Sequence, residues 1–100
     1  MKVNWAPLAE ARALDAVDYI AAERPAVAAV WLDQLLARTD ALRRFPRRGH
    51  KVPEIARKQY REILHPRYRV IYRVDETQVV ILTLRQWRRA RDPSEMPDAV

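Results

Sequence analysis

The chain has 100 residues, of which 49% are hydrophobic and 32% are charged, with one glycine, seven prolines and a formal net charge of +6. A chain this short forms one small domain with little room for a deep enzymatic cleft, so we expect it to act on something larger. Because it has no cysteine and only two histidines, thiol nucleophiles and thiolate metal sites are excluded, and we expect neither a metal nor another cofactor.

The first half of the chain predicts a short strand followed by a helical hairpin. Lys2–Trp5 alternates as a strand does and has no apolar stretch of the kind that a signal peptide needs. Pro7 suits the first turn of a helix, which we expect to run to about Glu23. Pro25 opens a second helix, expected to reach Arg44, and the short connection makes the two helices antiparallel. No apolar run approaches the length of a membrane helix, so we expect a cytoplasmic protein that does not bind a membrane.

Each predicted helix has one apolar face. In the first helix, small side chains recur at helical spacing, at Ala9, Ala13, Ala16 and Ile20. The second helix carries larger apolar residues on one side, at Val27, Trp31, Leu35 and Leu42, flanked by Leu32 and Leu36. The stripe of small residues lets another helix approach closely, so we expect the two helices to pack on each other.

The second half of the chain predicts strands, because the hydrophobic period changes from 3.6 to 2 after Tyr60. Three segments form an antiparallel meander, at residues 61–64, 68–74 and 78–84. Residues 52–58 carry a weaker signal for a short third helix. The predicted fold is an α+β domain with the order β-α-α-β-β-β, in which the helical hairpin packs on a small antiparallel sheet. We expect residues 1–91 to form this single domain and residues 92–100 a loose C-terminal tail.

The positive charge is concentrated in the middle of the chain. Residues 1–42 have a net charge of −2 and residues 75–100 of −1, whereas residues 43–74 have eleven basic and two acidic side chains. Sixteen of the nineteen cations are arginines, which grip carboxylate and phosphate groups with two hydrogen bonds. The fifteen alanines that accompany them also fit a compositional bias of the genome, so the clustering is more informative than the identity.

Alternation along residues 68–74 predicts two different faces. Tyr68 and Tyr72 are expected to face the helices, and Trp5 and Trp31 are also expected in the core. The other face then presents arginine and one isoleucine, at Arg67, Arg69, Ile71 and Arg73.

Short motifs follow one another along almost the whole chain. They are Trp5 with Pro7 and Ala9, Tyr19-Ile20-Ala21, Phe45-Pro46 with Gly49, Val52-Pro53-Glu54, Arg61-Glu62-Ile63, Tyr68-Arg69-Val70-Ile71-Tyr72-Arg73-Val74, and Val80-Ile81-Leu82 ahead of Arg88-Arg89. In this order and spacing they resemble the ParE branch of the RelE/ParE toxins of bacterial toxin–antitoxin systems, a group that includes plasmid stabilisation proteins. The resemblance implies the same β-α-α-β-β-β fold and a toxin that a cognate antitoxin holds inactive in a hetero-oligomer.

The resemblance to the ParE branch also implies a target, since ParE-type toxins are associated with poisoning DNA gyrase and are not known to need a catalytic residue. We therefore expect an inhibitory binding protein. A ParD-like antitoxin with acidic and apolar residues would suit a groove lined by Arg61, Arg69, Ile71 and Arg73. A tryptophan among cations near the chain's end suggests a target-binding surface, formed by Arg85, Trp87, Arg88 and Arg89.

The alternative that the resemblance leaves open is a ribosome-dependent mRNA endonuclease of the RelE type. Arg69 matches an arginine that contacts the RNA phosphate in RelE toxins, and Arg89 or Arg88 matches a second one; Arg61 would assist them. The remaining part of the RelE set, two lysines and a tyrosine, has no full counterpart here. General acid–base chemistry would fall to Glu62, His50 or His65, but we expect Glu62 to pair with Arg61 and His65 to cap a strand end or lie exposed.

Overall fold

A computed structural model describes residues 1–86 and contains two helices and one five-stranded sheet. The strands are β1 (Lys2–Trp5), β2 (His50–Lys51), β3 (Tyr60–His65), β4 (Tyr68–Val74) and β5 (Gln78–Gln86); the helices are α1 (Pro7–Ala21) and α2 (Pro25–Asp40), with a 3-10 turn at Ala41–Arg43. The predicted α+β class is confirmed. The predicted tail, 92–100, lies outside the described residues, and so does the end of the predicted domain.

The sheet is mixed rather than wholly antiparallel. Its strand order is β1-β5-β4-β3-β2, and β1 pairs parallel with β5, with Lys2 beside Gln78 and Trp5 beside Ile81. The other pairs are antiparallel, and β2 is a two-residue strand that the sequence pattern did not predict. A parallel pair needs a long crossover, which the helical hairpin and the meander supply together.

Prolines set the starts of both helices. Pro7 and Pro25 stand in the first turn, where the missing amide hydrogen leaves no hydrogen bond unmade. The stripe of small residues is buried as predicted, with Ala9, Ala13 and Ala16 in the core. The end of α2 differs from the prediction: the α-helix stops at Asp40 and tightens into the 3-10 turn, a common way for the last turn to satisfy its carbonyls.

The core lies between the helices and one face of the sheet. Tyr68 and Tyr72 are buried there, as the alternation predicted, together with Trp31. The Trp31 ring meets Tyr68 edge to face at 5.4 Å, and its indole nitrogen donates to the Pro66 carbonyl oxygen at 3.2 Å. Trp5 is partly buried against the same cluster. Two predicted core positions of α2 are wrong, because Val27 and Leu36 are each 48% exposed.

The second face of the sheet is also covered. Residues 52–59 form turns and extended chain rather than the suggested third helix, and they lie over this face. A small apolar cluster joins the two layers, made of Val52, Tyr60 and Ile71 with the partly buried Ile55 and Leu82. Ile71 is 2% exposed and Arg69 is 8% exposed, so the predicted open arginine face is wrong at these two positions.

Candidate functional site

Arg69 lies at the centre of a buried group of charges. Its Nη1 and Nη2 donate to Oε2 and Oε1 of Glu54 at 2.7 and 2.8 Å, and its Nε donates to Glu62. Glu54 comes from the covering segment 52–59, whereas Glu62 comes from the neighbouring strand β3. The side chains of Arg69 and Glu62 are each 10% exposed, and that of Glu54 is 19% exposed. The guanidinium is therefore held on three of its nitrogens by the protein's own carboxylates.

The two carboxylates change the electrostatics at Arg69. Its hydrogen bonds with Glu54 raise the pKa of the Arg69 guanidinium, and the same bonds lower the pKa of Glu54. Arg85 lies directly opposite Arg69 in the neighbouring strand β5. A phosphate that approached Arg69 would have to displace two carboxylates that already match its fork.

The predicted ion pair between Glu62 and Arg61 is wrong. Neighbouring residues of a strand point to opposite faces of the sheet, so Glu62 turns toward Arg69 while Arg61 lies beside Tyr72. Arg61 instead donates from Nη1 to the carbonyl oxygens of Gly49, at 2.9 Å, and Arg47, at 3.2 Å.

The four residues of the predicted antitoxin groove do not line one open surface. Arg69 and Ile71 are buried, and Arg61 lies on the other face of the sheet. Arg73 is partly exposed and makes two hydrogen bonds to Asp75, at 2.8 and 3.1 Å. Hydrogen bonding between these two side chains raises the pKa of Arg73 and lowers the pKa of Asp75. Contact of these residues with an antitoxin stays a prediction.

Tyr72 holds the tight loop between α2 and β2 in place with two hydrogen bonds from the core. The buried phenol donates to the Pro46 carbonyl oxygen at 2.8 Å and accepts from the Gly49 amide at 2.9 Å. Burial raises the pKa of Tyr72, so the hydroxyl stays protonated and able to donate. Together with the two bonds from Arg61, these contacts fix the path of residues 46–49.

His65 is buried in the core, so the prediction that it caps a strand end or lies exposed is wrong. It is 2% exposed, and its ring lies 4.9 Å from that of Trp31. The Arg38 guanidinium can only donate and lies 3.3 Å from Nδ1, so the ring proton is on Nε2, which donates to the Trp31 carbonyl oxygen at 2.9 Å. Burial lowers the pKa of His65, which is therefore a neutral structural residue.

This burial predicts a stability that depends on pH. Since the folded-state pKa of His65 is lowered, its contribution is present above the ordinary histidine value of about 6.5 and is lost as the pH falls below it. We expect urea unfolding to show a free energy that declines from pH 7 to pH 5 and a flatter profile for His65→Gln. The matched control is His50→Gln at an exposed position; a wild-type slope in His65→Gln would refute the assignment.

Of the predicted target-binding residues, only Arg85 lies in the described part of the chain, where it is partly exposed near the end of β5. Trp87, Arg88 and Arg89 lie outside the described residues. Among residues 1–86, no group of three or more acidic or histidine side chains is arranged to hold a metal ion. Over the same residues, neither helix has the length and apolar character to cross a bilayer.

Exposed apolar side chains are concentrated on the two helices. Of nine large hydrophobic residues that are exposed in the described part of the chain, six lie on α1 and α2, namely Leu8, Leu14, Tyr19, Val27, Val30 and Leu36. Leu14 is 61% and Val30 54% exposed. These side chains are the candidates for a partner-binding surface on the helical hairpin.

Comparison with known proteins agrees with this fold. A family model described as the ParE toxin of the type II toxin–antitoxin system parDE matches residues 3–93. A solved structure, of the chromosomal ParDE toxin–antitoxin system from P. aeruginosa, superposes with a TM-score of 0.72 at 17% identity and covers 86% of this chain and 95% of its own. A comparison with curated protein sequences gives no match.

The fold and the match over nearly the whole chain define a toxin of a type II toxin–antitoxin system. The chain belongs to the ParE toxin family, as the resemblance of its motifs predicted.

Proposed function

We propose that this toxin acts by binding rather than by cutting RNA, that its target is DNA gyrase, and that a ParD-like antitoxin neutralises it in the cytoplasm. The observation that carries the proposal is the state of Arg69, the position that matches an RNA-contacting arginine of RelE toxins. Its guanidinium is buried and neutralised by Glu54 and Glu62. An arginine in this state does not offer its charge to a phosphorane.

The groups that an RNA cleavage reaction would need for proton transfer are also engaged. Glu62 is held by Arg69, and both ring nitrogens of His65 have partners inside the core. His50 is exposed, and a single histidine does not supply the second proton-transfer group that the reaction needs. The gyrase target rests on the resemblance to the ParE branch, which is associated with that enzyme.

The antitoxin is proposed to bury the exposed apolar side chains of α1 and α2. A toxin of a type II system has an antitoxin partner, and the hairpin holds most of the exposed large hydrophobic residues of the described chain. Burying Leu14 and Val30 would remove apolar surface from water, which stabilises the complex by about 25 cal/mol per Å² buried. Because this attraction is not electrostatic, it does not depend on the buried Arg69.

The proposal is tested by giving the purified toxin two possible targets. With DNA gyrase and circular DNA, we expect toxin to cause accumulation of cleaved DNA; with translating ribosomes, we expect the mRNA to remain intact. Cleavage of mRNA at the ribosomal A site, with no effect on gyrase, would establish the endonuclease alternative instead.

A second arm of this experiment adds the antitoxin encoded beside the toxin gene. We expect it to protect gyrase from the wild-type toxin but to bind a Leu14→Asp, Val30→Asp variant at least about tenfold more weakly. The control variant Ala11→Asp, Ala29→Asp places the same charges at exposed alanines of the same helices and should bind normally. Equal binding of both variants would show that the antitoxin binds another surface of the toxin.

A further inference from the structure

The loop that follows α2 carries the densest positive charge of the chain. We define the basic loop as residues 43–51; it contains five cations and no carboxylate, and its cations are Arg43, Arg44, Arg47, Arg48 and Lys51. All five are exposed. Of these five cations, only Arg43 has an ion-pair partner among residues 1–86, since its Nε lies 2.6 Å from Oδ1 of Asp40. The other four cations of the loop are exposed, and no carboxylate of the described residues neutralises them.

The basic loop is built to keep its shape. Tyr72 bonds to both Pro46 and Gly49, and Arg61 holds two further carbonyl oxygens, so the turn is fixed from the core side. The 3-10 turn before it ends with the Phe45 amide bonded to the Ala41 carbonyl oxygen at 3.1 Å. Because these bonds fix the backbone of residues 46–49, a ligand that binds there would cost the loop little backbone entropy.

Phe45 stands exposed in the middle of these cations. Its side chain is 57% exposed, although a phenyl ring has no polar atom that would gain from water. Beside it is a surface cavity of about 500 Å³, lined by Phe45, Pro46, Arg47 and Arg48. The cavity therefore lies against the exposed aromatic ring, and two arginines contribute to its lining.

We infer that the basic loop binds single-stranded nucleic acid, with one base stacked on Phe45 and the neighbouring phosphates bound by Arg44, Arg47 and Arg48. Arginine forks match phosphate oxygens, and every base offers a face that can stack on a ring, so recognition needs no particular sequence. Single strands fit better than a duplex because their bases are free to stack.

An acidic peptide is the other anionic partner that such a loop could attract. A nucleic acid suits the observations better, because each nucleotide brings both a phosphate and a flat ring, and the loop has an exposed aromatic ring with exposed arginines on both sides of it in the sequence. Binding of nucleic acid by the basic loop does not require gyrase, so it can be measured with the toxin alone.

Fluorescence anisotropy of the full chain with a labelled oligothymidylate of about 12 nucleotides tests the inference. Removing three cations in Arg44→Ala, Arg47→Ala, Arg48→Ala should weaken binding by at least about tenfold at 0.1 M salt and lower the slope of log affinity against log salt by about 2. The matched control Arg24→Ala, Arg57→Ala, Lys58→Ala removes the same charge from exposed positions elsewhere and should keep the wild-type slope.

A second pair of variants tests the stacking contact. Phe45→Leu keeps the apolar volume but removes the ring, and we expect it to weaken binding by about tenfold, whereas Phe45→Trp should bind as well as the wild type. These positions are exposed, so circular dichroism and thermal unfolding should be unchanged. Wild-type affinity in the loop variant, preference for a duplex of equal length, or equal competition by a glutamate polymer of equal charge would each overturn the inference.

Discussion

Replacing Arg69 with leucine is expected to lower the free energy of unfolding by about 3–5 kcal/mol. The change removes the group that neutralises Glu54 and Glu62 and leaves two carboxylates in a largely buried site without their cation. The loss is large because the penalty of burying an unpaired charge exceeds the net gain of pairing it. Urea unfolding followed by circular dichroism at pH 7 measures the difference.

Arg73→Leu is the matched control for this variant. Arg73 lies on the same strand and pairs with Asp75, but this pair is about one-third exposed, so we expect a loss below about 1 kcal/mol. Equal losses in the two variants would show that burial does not distinguish the two ion pairs and would contradict the expectation.

The Arg69 effect should also shrink in acid. The pKa of Glu54 is lowered in the folded state, so its contribution is present above the ordinary glutamate value of about 4.3 and is lost as the pH falls through the lowered pKa. Arg69→Leu lacks this contribution at every pH. The gap between wild type and variant should therefore be widest near pH 7 and narrow below about pH 4; a constant gap would mean that the loss comes from packing alone.

Adding a single methyl group at Gly49 is expected to cost about 3 kcal/mol, at the upper end for overpacking. A Cβ atom there would lie 2.5 Å from the Glu62 carbonyl oxygen and 2.6 Å from the Tyr72 hydroxyl oxygen. Neither neighbour is the free end of a flexible side chain, so the loop itself has to move. Thermal and urea unfolding of Gly49→Ala measure the cost, and His50→Ala, next to it but exposed, should change stability by less than about 0.5 kcal/mol.

A double-mutant cycle separates the two clashes at Gly49. Tyr72→Phe alone should cost about 1–3 kcal/mol, because it leaves the buried Gly49 amide without its acceptor. In Gly49→Ala, Tyr72→Phe the hydroxyl clash is absent, so the combined loss should fall short of the sum of the single losses by about 1 kcal/mol. Strict additivity would show that the Glu62 carbonyl alone determines the cost.

Local signals were enough to predict most of the elements. Pro7 and Pro25 mark the starts of both helices, and the alternation through Tyr68 and Tyr72 identifies β4 and the face that it buries. Alternation of apolar residues identifies a strand, but it does not show which other strand pairs with it. Lys2–Trp5 was predicted as a strand, but its parallel place beside β5 depends on a sheet edge that forms only in the folded chain.

The contacts of the candidate site were harder to predict than its positions. The resemblance singled out Arg69, yet its partner Glu54 lies fifteen residues away in a segment with no periodic pattern. Alternation along β4 predicts that one face of the sheet is exposed to solvent. Because the segment 52–59 covers that face, Arg69 and Ile71 are buried instead. Adjacency in sequence predicts a pair of Glu62 with Arg61, but adjacent side chains of a strand point to opposite faces, so Glu62 pairs with Arg69. Arginine is almost never fully buried unless it is paired, so a sheet covered on both faces predicts a carboxylate partner for a buried arginine.

The parallel pair of β1 and β5 delays completion of the toxin during its synthesis. The partner of Lys2, Gln78, follows only after both helices and three further strands have been made, and closing so long a stretch of chain is entropically costly. The strand β1 therefore has no partner in the sheet until β5 has been made. A fragment released early from the ribosome lacks β5 and leaves β1 and one side of β4 unpaired. Such a fragment exposes unpaired strand edges, which make a partly folded chain prone to aggregation.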